Sequence, residues 1–348
     1  YTYLDLDEIK SGQLRVVPDP VERPVPEKWK SLIRSQIGDH GTLVVWSQLD
    51  RVRWKQSTTF LKNTEFIVGR AYRYFLEDKT ARIRLAAFED SNGKIKKKSD
   101  RDTKPNDPLY LMKGTIDPVP YNNSPAFDLS TEHDFKIRIN DEEHLVHLKF
   151  TIASKKARHE GGASRIGKNA AKNQGVSVVR AKRELEMNST FDNSYDPRER
   201  WWGVEVSFEP ALDDIFGVTN NKQAATAFRK MDLDEDARNE NMSPGEFQDE
   251  LRETNDPRLP IYMLSTEINR VLSTLRDQIK RQGEGKKKKG DNVPPPGSAE
   301  AVASEAIKKR RIEYGIEGES DEGEKLPTEV REEQLQKEFE NLDIEPDE

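Results

Sequence analysis

His144 and His147 stand three residues apart at the head of an alternating apolar and polar stretch that runs to Ile152. Alternation of this kind predicts a strand, and side chains three apart on a strand point to opposite faces, so the two are not expected to share a metal ion. The other histidines, His40, His133 and His159, belong to no motif of zinc-enzyme spacing, and the sequence has no Gly-x-Ser-x-Gly elbow for an acyl-transfer serine. Gly161-Gly162-Ala163-Ser164-Arg165-Ile166-Gly167-Lys168-Asn169 has the glycines and lysine of a phosphate cradle, but Asn169 stands where a metal-binding hydroxyl would be needed. It reads as a mobile basic loop. Basic residues also cluster at Lys94–Lys98, Lys155–Arg158, Lys168–Lys172, Arg180–Arg183 and Lys286–Lys289, where they can neutralise nucleic-acid phosphates. Lys168, Lys172, Arg180, Lys182 and Arg183 are the candidate contacts. Phe191, Tyr195, Trp201 and Trp202 offer rings on which bases can stack, against the plainer expectation that paired tryptophans at a strand start are core.

These residues need elements to position them. Leu43-Val44-Val45-Trp46 is a short apolar run suited to a buried strand. Phe60, Phe66, Ile67, Ala71 and Phe75 recur at helix-face spacing, and Arg82–Phe88 alternates as a strand leading to a turn at Asn92-Gly93, with Lys94–Lys104 a polar loop beyond it. Phe135–Ile139 and Leu145–Ile152 predict a hairpin turning at Asn140–Glu143, and Gly175–Val179 and Gly203–Phe208 predict two more strands. Ile261, Leu264, Ile268, Val271, Leu272, Leu275 and Ile279 fall on one face of a helix that either packs back on the domain, the plainer expectation, or joins a partner helix. The fold class is therefore α+β. The organisation is an extended proline-bearing connector over 1–40, a β-rich domain over 41–225, a helical segment over 226–282, and a linker with an acidic, largely disordered tail over 283–348.

The order of segments from Gly175 to Gln223 adds a further reading. Gly175-Val176-Ser177-Val178-Val179-Arg180 is followed by Arg183-Glu184-Leu185, by Trp202-Gly203-Val204-Glu205-Val206-Ser207-Phe208, and by Asn220-Asn221-Lys222-Gln223. This succession resembles the transducer region of microrchidia (MORC) ATPases of the GHKL type, where a Gly-led strand, an Asn/Arg-Arg-Leu-type turn, a Gly-Val-led strand and a His-Asn-Lys-Gln loop occur in that order. Gly41-Thr42-Leu43-Val44-Val45-Trp46-Ser47-Gln48-Leu49 is similar to that family's Gly-Thr strand, so the resemblance spans about residues 41–225. It implies a ribosomal-protein-like βαβ transducer that couples ATP binding and hydrolysis to closure of a dimeric clamp. It also implies roles for the loop: Lys222 on the γ-phosphate, Gln223 on the phosphate or attacking water, and Asn221 holding the loop against the nucleotide. ATP and Mg2+ would be bound mainly by a separate N-terminal nucleotide lobe. The sequence departs from the family in two ways: Asn220 stands in place of histidine, and no Asp-x-Gly-x-Gly motif of the nucleotide lobe occurs.

Charge and composition limit the alternatives. Of 348 residues, 33% are hydrophobic and 35% charged, too polar a mixture for the whole length to fold. Residues 291–348 carry 7 Lys or Arg and 18 Asp or Glu, so a net charge of −11 in the tail against −7 for the chain leaves +4 on the body. The absence of cysteine excludes disulfides and thiol chemistry and fits a cytoplasmic protein. No apolar run reaches the ~20 residues of a membrane span, and Tyr1-Thr2-Tyr3 is neither an initiator methionine nor a signal peptide, so the chain is expected to begin within a longer protein. A non-catalytic nucleic-acid-binding or scaffold protein, using the same fold and its basic loops, is the competing expectation.

Overall fold

A computed structural model describes residues 1–33, 40–47, 51–91, 94–116, 125–139, 142–193 and 195–282. The expected turns at Asn92-Gly93 and Asn140-Asp141, Gln48-Leu49 and the tail beyond Gln282 lie outside the described residues. The chain divides into two units, Tyr1–Gln56 and Ser57–Glu348.

The first unit holds two short helices, α1 (Leu6–Lys10) and α2 (Glu27–Ile33). The Asp5 carboxylate caps α1 by accepting from the amides of Asp7 and Glu8. Between the helices, Pro18, Pro20 and Pro24 lie in neither helix nor strand, because proline removes a donor and fixes φ. Leu43–Trp46 is not the buried strand its composition predicts: it is in no strand, and Val44 and Trp46 are 85% and 70% exposed. An apolar run becomes a strand only where a neighbour completes its hydrogen-bond ladder, and among the described residues this run belongs to neither sheet.

The second unit is α+β with two sheets. It begins with α3 (Ser57–Ala71) and α4 (Arg73–Glu77), then a hairpin of β1 (Arg84–Ser91) and β2 (Lys94–Asp102). The helix is where the spacing puts it, but its buried positions are Leu61, Gly69 and, in α4, Arg73, while Ile67 faces solvent. β2 corrects the expected polar loop. Its ladder to β1 and cross-strand pairs, Arg84 to Asp100 and Lys98 to Glu89, hold a strand that has almost no apolar residues.

A five-stranded sheet follows, built from β3 (Phe127–Ile139), β4 (Glu142–Ala153), β5 (Val176–Arg180), β6 (Arg183–Asn188) and β7 (Trp202–Phe208) in the order β3-β4-β7-β5-β6. All neighbours are antiparallel except β5 and β7. Arg183-Glu184-Leu185 belongs to β6 rather than to a turn; the turn is Ala181-Lys182, with φ of 45° and 67°, the backbone of a type I′ hairpin. Two helices, α5 (Lys155–His159) and α6 (Arg165–Lys172), connect β4 to β5. α6 replaces the expected mobile loop. Ser164 caps it by accepting from the Gly167 amide, and Ile166 and Ala170 bury one of its faces.

Central strand β7 shows how the sheet is used. Trp202, Val204, Val206 and Phe208 join one apolar core with Val176, Val178, Phe150 and Leu148. After β7 come α7 (Asp213–Phe216), α8 (Leu233–Asn239), α9 (Pro244–Glu253) and α10 (Arg258–Gln282). All seven apolar residues of the predicted face of α10 are buried, so this helix packs back on the domain, against β7 and α7. Among the described residues no helix is long and apolar enough to cross a membrane.

Candidate functional site

Lys222 lies in a closed turn. Val218 and Ala225 form an isolated antiparallel bridge, and the Thr219 amide donates to the Ala224 carbonyl at 3.1 Å. Inside this frame the Thr219 hydroxyl oxygen accepts from the amides of Gln223 and Ala224, both at 3.3 Å, and its proton goes to Asn221 Oδ1 at 2.7 Å. Asn221 Nδ2 donates in turn to Gln223 Oε1 at 3.2 Å. Asn221 therefore braces the loop, and both it and Gln223 remain near the surface. Lys222 has a left-handed backbone with φ of 54°, unusual for a residue with a side chain. The Asn220-Asn221 pair just before it supplies the residue type that tolerates such turns.

The Lys222 ammonium donates to Asp213 Oδ2 at 3.0 Å. The same carboxylate accepts a two-pronged contact from Arg180, Nε to Oδ1 at 2.6 Å and an Nη to Oδ2 at 2.9 Å. Three elements meet here: the end of β5, the first residue of α7 and the turn after α7. Side-chain exposures of 20% for Arg180, 19% for Asp213 and 39% for Lys222 leave the group half-buried and open on the lysine side. The Arg180 guanidinium, and then the lysine, hold the Asp213 carboxyl below the usual carboxylate range against the opposing effect of burial. Asp213 could not be picked out from sequence, since it stands 33 residues from Arg180 and 9 from Lys222 and belongs to no motif.

The other candidates divide between two places. Lys168 and Lys172 are exposed on α6, where Lys172 also lies over the Phe66 ring at 5.5 Å. Arg180, Lys182 and Arg183 sit at the β5–β6 turn, at the opposite end of β5. There Arg180 is engaged by Asp213, Lys182 lies 3.8 Å from Asp78, and Arg183 sits over Tyr72 at 5.7 Å. Trp201, Trp202 and Phe191 are each 2% exposed and so cannot stack on bases; they are core, and only Tyr195 of that set faces solvent. The glycine-rich loop is not a phosphate cradle either. Arg200 donates to the Gly162 and Gly167 carbonyls, Asn169 accepts from the Tyr110 hydroxyl, and a side chain at Gly167 would collide with the Gly161 carbonyl.

A buried polar network was missed by sequence reasoning. Glu205 lies in an alternating strand that predicts a solvent-facing carboxylate, yet it is 2% exposed. Arg73, fully enclosed, donates to Glu205, to Glu184 at 2.8 Å and to the Ser177 hydroxyl at 2.8 Å, while the Tyr74 hydroxyl donates to Glu205 at 2.6 Å. Arg70 completes the charge balance on Glu184. Burial alone would lower the Arg73 pKa, but Glu205 and Glu184 raise it instead. The adjacent loop is tied in through Asn106, which donates to the Phe66 carbonyl and accepts from Asn173, and through Asp107, which accepts from the amides of Leu109, Leu111 and Met112. Both terminal nitrogens of Arg73 are paired inside the fold while its Nε is not, and the network clamps α3 and α4 to the sheet.

Comparison with protein-family models, with characterised proteins and with solved structures found no match.

Proposed function

We propose that the region 41–225 forms the transducer part of a GHKL-type ATP hydrolase, followed by the helical segment 226–282, and that Lys222 contacts the γ-phosphate of a bound nucleotide. The observation that carries this reading is the Lys222 turn. A braced loop presents one ammonium group to an oxygen anion at 3.0 Å, beside a second cation and at a surface open to a ligand. A cation held in this way stabilises the negative charge that develops on a transferring phosphoryl group. It also reports the presence of the third phosphate, since its contact is lost on hydrolysis. The α+β class agrees with this reading, but β4 runs antiparallel to β7 and β5 parallel to it, so helices α5 and α6 join two antiparallel strands and do not make the parallel βαβ crossover that the resemblance implies. In this reading ATP and Mg2+ are carried by a nucleotide lobe outside these residues, and closure clamps a cytoplasmic homodimer.

The test is ATP turnover by a protein that carries this chain together with a nucleotide lobe. Lys222→Ala is expected to lower kcat by about 10²–10³-fold with an unchanged melting temperature, as removal of one preorganised charge contact does. Turnover equal to that of the parent would overturn the assignment.

One observation favours a second reading, a non-catalytic nucleic-acid-binding protein. Lys155, Lys156, Lys168 and Lys172 are exposed on α5 and α6, with Glu160 the one acidic residue over that stretch. Binding to DNA that falls steeply with salt, is weakened by Lys168→Ala and Lys172→Ala, and ignores nucleotide would support it.

A further inference from the structure

We propose that Asp213 is the resident anion of a two-cation phosphate site, and that the terminal phosphate of a nucleoside triphosphate takes its place between Arg180 and Lys222. The proposal rests on the reading of Lys222 as a phosphate contact and adds two things to it: Arg180 as the second phosphate ligand, and Asp213 as the group that keeps both cations parked when no phosphate is present.

The geometry argues for exchange rather than for a permanent bridge. Arg180 grips Asp213 through two parallel bonds of 2.6 and 2.9 Å, the fork that fits a phosphate as well as a carboxylate. Lys222 adds a third bond to the oxygen that Arg180 Nη already holds. Two cations thus share one monoanion, and the trio keeps a net charge of +1, which a terminal phosphate bearing more charge and three oxygens satisfies better than a carboxylate. The frame is fixed before the ligand arrives. Arg180 ends a ladder that pairs with both β6 and β7, and the adjacent Ala181 amide donates to the Phe208 carbonyl. Lys222 stands in the left-handed region, with its turn closed by the bonds to Thr219. A backbone held in that region at a braced surface turn is a feature that functional sites retain despite its cost. Asp213, by contrast, stands at the start of a four-residue helix, where its side chain can swing away without breaking the sheet.

The experiment uses the 348-residue chain, labelled with 15N in arginine and lysine, and inorganic tripolyphosphate as the probe, with sulfate at matched ionic strength as the control. The Arg180 and Lys222 side-chain signals are expected to shift together with one midpoint, and to shift much less with sulfate. Asp213→Asn should bind tripolyphosphate about tenfold more tightly, because the competing anion is removed. Arg180→Ala should lose the saturable shift of Lys222. Independent midpoints, no shift of either signal, or an Asp213→Asn variant that binds no more tightly would each overturn the exchange. Should that variant unfold, the parent titration decides alone. Loss of turnover in Lys222→Ala without these shifts would sink the exchange and leave the ATPase reading standing; the shifts without any turnover would do the reverse.

Discussion

Arg73 has no contact with water, and it touches two carboxylates, so its charge and theirs are mutually dependent. Removing one partner of such a group leaves the others buried and uncompensated, which costs more than the pair contributes. Arg73→Ala is therefore expected to destabilise the second unit by about 3–5 kcal/mol in urea unfolding, whereas removing the exposed pair Arg82 and Asp102 should leave the unfolding midpoint nearly unchanged. The tyrosines give a pH signature. Burial, followed by the Glu205 charge, pushes the Tyr74 hydroxyl well above the usual tyrosine range; burial and the bond to Asp236 do the same for Tyr262. A folded-state pKa raised above its unfolded value of about 10 contributes stability that is complete below pH ~10 and is lost as pH climbs beyond it. Tyrosinate absorbance should thus show Tyr74 and Tyr262 ionising only together with alkaline unfolding, and Tyr74→Phe should lessen that loss. Ionisation of all nine tyrosines near pH 10, with the circular dichroism unchanged, would contradict this.

At the scale of elements, two joints carry distinct costs. Gly69 is the point where α3 meets the loop before β3: its carbonyl accepts from the Asn106 amide, and an added Cβ would stand 2.4 Å from the Lys104 carbonyl oxygen. Because the obstacle is backbone, Gly69→Ala must displace the loop, with an expected loss of about 1–3 kcal/mol and a lowered melting temperature. At α9, Ser243 and Glu246 form a reciprocal capping box, so Ser243→Ala should cost about 1 kcal/mol, read by the same melts, without affecting the Lys222 turn. The capping pattern and the α10 face could be read from sequence because both are local. The strand β2 could not: its lysines and aspartates become a strand only through pairing with β1, and composition alone marks them as loop.

For the whole molecule, every buried apolar residue among those described lies between Leu61 and Ile279. A fragment of residues 57–282 is accordingly expected to fold, and to unfold within a few degrees of the longer chain in calorimetry. A molten fragment, lacking a cooperative transition, would show that the first unit or the tail is needed for that core to form.

Periodicity by itself determined the α+β class, the strands β4, β5 and β7 and the packed face of α10, because burial leaves a period of two or 3.6 in the residues of each element. The Asn220-Asn221 pair marked a tight turn, but Lys222 within it stood out only through the segment order that resembles the transducer family. Only the tertiary structure decided which charges meet. Arg180, Asp213 and Lys222 come from three segments, and Arg73, Glu184 and Glu205 from three more, and a polar residue carries no mark of its partner until the chain has folded. The same reason turned Glu205 inward and left Leu43–Trp46 exposed: a side chain's surroundings depend on the neighbouring strand or helix, and local pattern does not contain that neighbour.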